Sequence, residues 1–295
     1  MFNQKKITAS FTMAKGNFGG GGNALTLSGL RMSCDIHVGG GAALPILNNL
    51  TIYGMTLDHM NQLSRIGATY NNFPTNKITI QAGSDQEGMF TVFEGDILLA
   101  WVDGADQPNV RFNIYATPGA TAARQPMKST TRKGAANGED LVSTLARQMG
   151  FRFENNGVHA VLRNPYLHGT GISQVRQCIE AMGCQWILDK GTLAIWPTGQ
   201  ARKSSVPLVS PDTDPKMVGY PQFDQPRIRV TQYFNPAIVP GGQVQIQSSL
   251  TSACGVWNIG EVDYELDCYM PHGRWFQTMM CYNPHGPGLP GGDQP

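Results

Sequence analysis

The stretch 141-LVSTLARQMGFRFENNGVHAVL-162 reads as an amphipathic helix ending at Met149-Gly150, an alternating strand, a turn at Asn156-Gly157 and a second strand. The pattern returns at 174-QVRQCIEAMGCQWILDKGTLAIWP-197, where Met182-Gly183 closes the helix and Lys190-Gly191 separates the strands. Gly150 and Gly183 suit left-handed helix caps, and the two X-Gly pairs suit tight hairpin turns, because glycine takes positive φ without a Cβ clash. Two αββ units are expected to lay their helices on one face of the joined hairpins, forming a compact α+β domain. Phe151, Phe153, Trp186, Ile195 and Trp196 alternate as core residues of that domain do.

Outward from this repeat the pattern is β on both sides. ITASFTM, NALTLSGLRMSCDIHV, LNNLTIYGM, NKITIQAG, GMFTVFEGDILLAWVDG and NVRFNIYATPG are short alternating runs punctuated by glycine. They predict an antiparallel barrel or sandwich over 1–118, with LDHMNQLSRIG as its one short helix. The stretch 121-TAARQPMKSTTRKGAANG-138 is polar and basic without an apolar period, and reads as a linker in which Arg124, Lys128, Arg132 and Lys133 could touch an acidic partner. The linker and the α+β domain occupy 119–203. After a proline-rich link, PRIRVTQYF, GGQVQIQSSL, CGVWNIGEVDYELDCYMP and GRWFQTMMCY predict a second small antiparallel barrel or sandwich over 204–295, ending in the coreless tail NPHGPGLPGGDQP.

Composition excludes more than it identifies. The chain of 295 residues is 41% hydrophobic and only 15% charged, with 22 basic against 21 acidic side chains, so no net field draws it to nucleic acid or to an anionic membrane. No apolar run is long enough to span a bilayer, and the N-terminus lacks the apolar core of a secretory signal. The six cysteines include no CxxC pair and are expected to be reduced thiols; the alternative is a metal site drawn from Cys254, Cys268 and Cys281, completed by a fourth ligand or by symmetry.

Chemistry finds little support. The histidines show no HExxH spacing, and neither GxSxG nor GxxxxGK[ST] occurs. The glycine tracts at 19–22 and 39–41 lack the strand-to-helix setting of a phosphate loop, and Asp103, Asp106 and Asn109 lack the remaining ligands of a calcium loop. Glu94/Asp96 and Glu139/Asp140 could in principle act as acid and base, but the first pair shares one face of a strand that turns at Gly95 and the second opens a helix, where carboxylates meet the dipole favourably. No catalytic residue and no cofactor is assigned.

The ordered set ITASFTMAKGNF, NALTLSGLRMSCDI, LTIYGMTLDHMNQLS, MFTVFEGDI, ARQMGFRFENNG and 235-NPAIVPGGQVQIQSSL-250 resembles the baseplate hub proteins of tailed phages. The resemblance implies a mainly β fold in which two tube-like antiparallel β-barrel domains flank the pair of αββ units. It implies a structural virion protein, made in the host cytoplasm, whose homotrimer forms a ring joining the tail tube protein to the central spike protein and meeting other baseplate components. In such a ring the outward faces of strands are committed to neighbours, making Gln243, Gln245 and Gln247, with the four basic residues above, the subunit-interface candidates. No stretch is left for a lysozyme or peptidase domain, so cell-wall cleavage is expected of another protein. The rival reading is a tail protein that binds or cleaves cell-wall glycan.

Overall fold

The computed structural model describes residues 4–19, 21–39, 44–64, 75–224 and 226–284. Gly20, Gly40 and Gly41 of the glycine tracts, the end of LDHMNQLSRIG and the tail from 285 onward lie outside these residues. Strands dominate, and the chain divides into two compact units: 1–37 with 45–121 and 263–276, and 38–44 with 122–262 and 277–295.

The first unit contains β1 (Lys5–Thr12), β2 (Ala24–Leu27), β3 (Met32–Gly39), β4 (Ile46–Tyr53), α1 (Leu57–Leu63), β5 (Lys77–Ser84), β6 (Gly88–Asp103) and β7 (Arg111–Thr117). They pair in the order β3-β4-β7-β6-β5-β1-β2, antiparallel throughout. Alternation sends Ile7, Ala9 and Phe11 of β1 into a core shared with Ile52, Ile80 and Ile114, all fully buried. Lys5 Nζ of β1 lies 5.8 Å from the ring centre of Trp275, and no ladder among the described residues closes a barrel.

One turn expected in this unit is absent. Strand β6 passes straight through Gly95, where an added Cβ would lie 2.8 Å from the Phe93 ring and 2.9 Å from the Thr117 backbone. Glycine is there to admit close packing, and the chain does not reverse.

Then follow α2 (Ala120–Arg124), β8 (Thr130–Thr131), β9 (Ala135–Asn137), α3 (Gly138–Gln148), β10 (Arg152–Asn155), β11 (Val161–Arg163), β12 (Tyr166–Leu167), α4 (Gly171–Met182), β13 (Cys184–Asp189) and β14 (Thr192–Pro197). Both helices form where the repeat places them. Thr170 caps α4 by accepting from Ser173 N at 3.3 Å, and Gly183 ends it at φ 62°.

Only one of the two expected hairpins exists. β13 and β14 pair antiparallel around Lys190 and Gly191, both at positive φ. β10 instead adds to β14 in parallel, and Asn156-Gly157 is not a hairpin turn: Asn155 Oδ1 accepts from Gly157 N and Val158 N at 3.1 and 2.8 Å, turning the chain away. The segment that follows runs back along the stretch read as a linker, with Val161↔Asn137, Arg163↔Ala135, Tyr166↔Thr131 and Pro126↔Thr170 as partners. The basic stretch is thus one arm of a two-stranded ribbon.

Beneath the ribbon the repeat packs on itself reciprocally. A Cβ at Gly138, the first residue of α3, would fall on Met182 Sδ at the end of α4, and one at Gly171, the first residue of α4, would fall on Met149 Sδ at the end of α3. Around this exchange Val142, Leu145, Val175, Cys178, Trp186 and Leu188 form one core. Ala favours an open helix over Gly by about 1 kcal/mol. Gly138→Ala is nevertheless expected to destabilise by about 1–2 kcal/mol through overpacking. Adding Met182→Ala is expected to abolish that clash, leaving a favourable coupling in a urea-denaturation double-mutant cycle.

The remaining strands are β15 (Leu208–Val209), β16 (Met217–Asp224), β17 (Arg227–Tyr233), β18 (Gln243–Ile246), β19 (Gly255–Cys268) and β20 (Trp275–Tyr282). These strands follow the order β16-β17-β20-β19, with β18 antiparallel to residues 255–258 of β19 and β15 parallel to β18. Residues 263–268 of β19 and 275–276 of β20 belong to the first unit, where β19 neighbours β3, and the rest to the second.

Candidate assembly surfaces

The turn 235–242 is fixed before β18 begins. Asn235 Oδ1 accepts from Ala237 N at 3.0 Å, and Asn235 N donates to Gln277 Oε1 at 2.9 Å. Gly241, at φ 82°, lies against the Trp196 ring; its carbonyl accepts from Arg202 N at 2.7 Å, and its amide donates to Ile259 O at 3.0 Å. The strand that leaves this turn alternates as its sequence requires. Val244 and Ile246 are buried, Gln245 and Gln247 are exposed, and Gln243 is half-buried with its amide donating to Asn258 Oδ1 at 3.0 Å. Gln245 and Gln247 therefore present a polar outer face, while Gln243 is partly committed within the chain.

A charged cluster holds the loop after β14 against the three-stranded sheet. The Arg202 guanidinium donates to both oxygens of Glu154 at 2.8 and 2.7 Å and lies 3.8 Å from Asp189. Asn156 donates to Glu154 at 2.9 Å and accepts from Lys203 N at 3.0 Å. The hydrogen bond from Arg202, outweighing partial burial, holds the Glu154 carboxyl below its ordinary range. With the Arg202 side chain 10% exposed, this is a packed ion pair at the joint of two sequence segments. Nothing local marks Arg202 and Glu154 as partners, which are 48 residues apart.

The four basic candidates are all exposed. Arg124 ends α2; Lys128, Arg132 and Lys133 lie along the ribbon. Gln174 of α4, itself fully buried, anchors the ribbon by donating to Met127 O and Lys128 O at 3.4 and 3.1 Å. The inner face carries Leu167, Leu162 and Ala136 against the helices. The outer face carries Val161 and Tyr166, each 64% exposed, with the Tyr166 ring stacked on His168 at 5.6 Å. Exposed apolar side chains recur on β16 and β17 at Tyr220, Phe223 and Tyr233.

A further charged surface matches no motif but follows from alternation: 261-EVDYELD-267 alternates acid with apolar, so one face of β19 is acidic. Asp263 pairs with His37 at 2.6 Å. Asp267 accepts from Ser33 at 2.6 Å, and Arg274 bridges Asp35 at 2.9 Å, Asp267 at 3.2 Å and Glu265 at 3.8 Å.

Asp96 of one carboxylate pair and Glu139 of the other have structural partners. Asp96 is buried and accepts from Thr121 N at 2.9 Å. Burial pushes the Glu139 carboxyl up, but its own amide, His159 and Ala160 N together hold it below the usual range at the start of α3. Asp103 and Asp106 turn to Arg111 at 2.9 and 3.4 Å across the β6–β7 hairpin. Among the described residues all six cysteines are free thiols, and no three His, Cys, Asp or Glu side chains are grouped to hold a metal ion. Burial raises the Cys281 thiol to about 12, so it remains protonated at neutral pH.

The described residues are mainly β, with α3 and α4 packed against a three-stranded sheet in the second unit. Residues 9–276 match the family described as Baseplate hub gp41, and the chain belongs to that family. No curated protein matches it. Among solved structures it resembles the 43 kDa tail protein of prophage MuSo2 from Shewanella oneidensis, with TM-score 0.62 and 10% identity over 96% of this chain and 97% of that one. It also resembles the tail protein from Neisseria meningitidis MC58, with TM-score 0.60 and 10% identity over 95% and 97%. A third neighbour is the E. coli c3393 protein, a type VI secretion system component described as structurally similar to T4 phage tail proteins gp27 and gp5. It gives TM-score 0.57 and 9% identity over 86% and 73%. At these identities the likeness is one of fold.

Proposed function

We propose that this chain is a phage baseplate hub whose three copies form a ring between the tail tube and the central spike, a structural role without catalysis. The family match over 9–276 carries the reading. It is supported by the polar outer face of β18 and by exposed apolar side chains on the ribbon and on β16–β17, which suit surfaces covered by other subunits. The two β regions would act as tube-like barrel wedges, two per chain, so that three copies present six-fold geometry to the tube and three-fold geometry to the spike.

Mixing the purified chain with its tube protein and its spike protein tests this. A complex containing all three is expected, and omitting this chain is expected to leave tube and spike apart on size-exclusion chromatography. Direct tube–spike association without it would refute the adaptor role.

A further inference from the structure

The outer face of the ribbon combines features that a solvated loop would not need. Over residues 124–138 and 159–170 there is no carboxylate, while Arg124, Lys128, Arg132, Lys133 and Arg163 are exposed. Between these cations stand Val161 and Tyr166. The ribbon is held rigid by its ladders, by the buried Gln174 beneath it, and by Gly134 and Asn164, which bond each other in both directions at 2.7 Å. A carboxylate does meet the ribbon at one end, where Glu139 pairs with His159 at 3.3 Å and accepts from Ala160 N at 3.4 Å. For the cations along the rest of this ordered, amphipathic surface, in a chain of formal charge +1, the compensating acid lies elsewhere. The face of β3 and β19 supplies it: Asp35, Asp263, Glu265 and Asp267 outnumber Arg274 and His37, and the Asp263 and Glu265 side chains are 53% and 52% exposed.

We propose that the basic ribbon of one copy docks on the acidic β3/β19 face of a second copy, in a head-to-tail contact repeated around the ring. Charge complementarity selects this occupant: a second copy carries the oppositely charged patch, and repeating the contact about a three-fold axis closes the ring. Val161 and Tyr166 supply the apolar centre, and the cations form the rim that sets register and association rate. The inference rests on the ring reading above and specifies which surfaces make the ring.

The test is sedimentation of the full chain at low and moderate salt. Arg132→Glu/Lys133→Glu is expected to keep the native circular dichroism spectrum and to weaken self-association at least about tenfold. Asp263→Lys/Glu265→Lys is expected to do the same, and all four changes in one chain are expected to restore association. If the reversed acidic face fails to fold, Asp263→Asn/Glu265→Gln is expected to weaken association less and to reduce its salt dependence. A ribbon-reversed chain that associates like the wild type, or a four-change chain that stays dissociated, overturns the docking while a trimeric wild type leaves the ring reading intact. A wild type that is monomeric throughout, even with tube and spike present, removes the ring reading itself. Loss of binding to a short labelled DNA duplex on ribbon reversal, with association unchanged, would make the occupant a nucleic acid and overturn the proposal.

Discussion

Ile246→Asp is expected to cost roughly 4 kcal/mol or more and to unfold the strands around β18. Ile246 is 1% exposed and Val244 beside it is fully buried, so the new carboxylate would enter an apolar layer with no partner. Its neighbour gives the control. Gln245 is exposed on the opposite face, so Gln245→Asp is expected to leave stability within about 0.5 kcal/mol, by urea denaturation, while weakening self-association if that face meets another subunit. Loss of fold in both variants would mean that the strand does not divide into a core face and an outer face.

Arg202→Met is the second large effect. It leaves Glu154 and the buried Asp189 without their shared cation, and breaking a buried pair from one side costs roughly 3 kcal/mol. Glu154 is partly exposed, which moderates the penalty relative to a fully buried pair. The same contact predicts a pH dependence. The folded Glu154 carboxyl titrates below its unfolded value, chiefly because Arg202 donates to it, so the stabilisation is present above the unfolded carboxylate pKa and is lost as pH falls through the depressed folded value. Acid titration of thermal stability is expected to show a shallower loss over that window in Arg202→Met than in the wild type; parallel curves would contradict the assignment.

What could be read from the sequence follows the range of each interaction. The helices α3 and α4, the Gly183 cap, the Lys190-Gly191 turn and the inward Val244 and Ile246 are set by neighbours a few residues away, and each has the form its local pattern predicts. The failures are pairings between distant segments. Asn156-Gly157 has hairpin chemistry, yet β10 finds β14 about 40 residues on, and the strand after it finds 126–138 behind it. The basic stretch has no apolar period because its inward side chains are few and irregularly spaced, Met127 and Ala136 among them, so a ribbon arm has the local pattern of a linker. Gly95 resembled a turn because sequence alone does not reveal the Phe93 ring folded over its α-carbon. Of the candidate surfaces, the polar strand is legible as local alternation and the acidic stripe of β19 is carried by the same period without any motif to mark it; the Arg202–Glu154 pair, spanning 48 residues, is beyond any local reading.

If copies of this chain assemble into a ring, the mass of the assembled protein shows it. Native mass spectrometry of the purified protein, alone and with its tube and spike proteins, is expected to show a species at three times the 32.0 kDa chain mass, either free or within the larger complex. A single chain in every one of those mixtures would contradict the account.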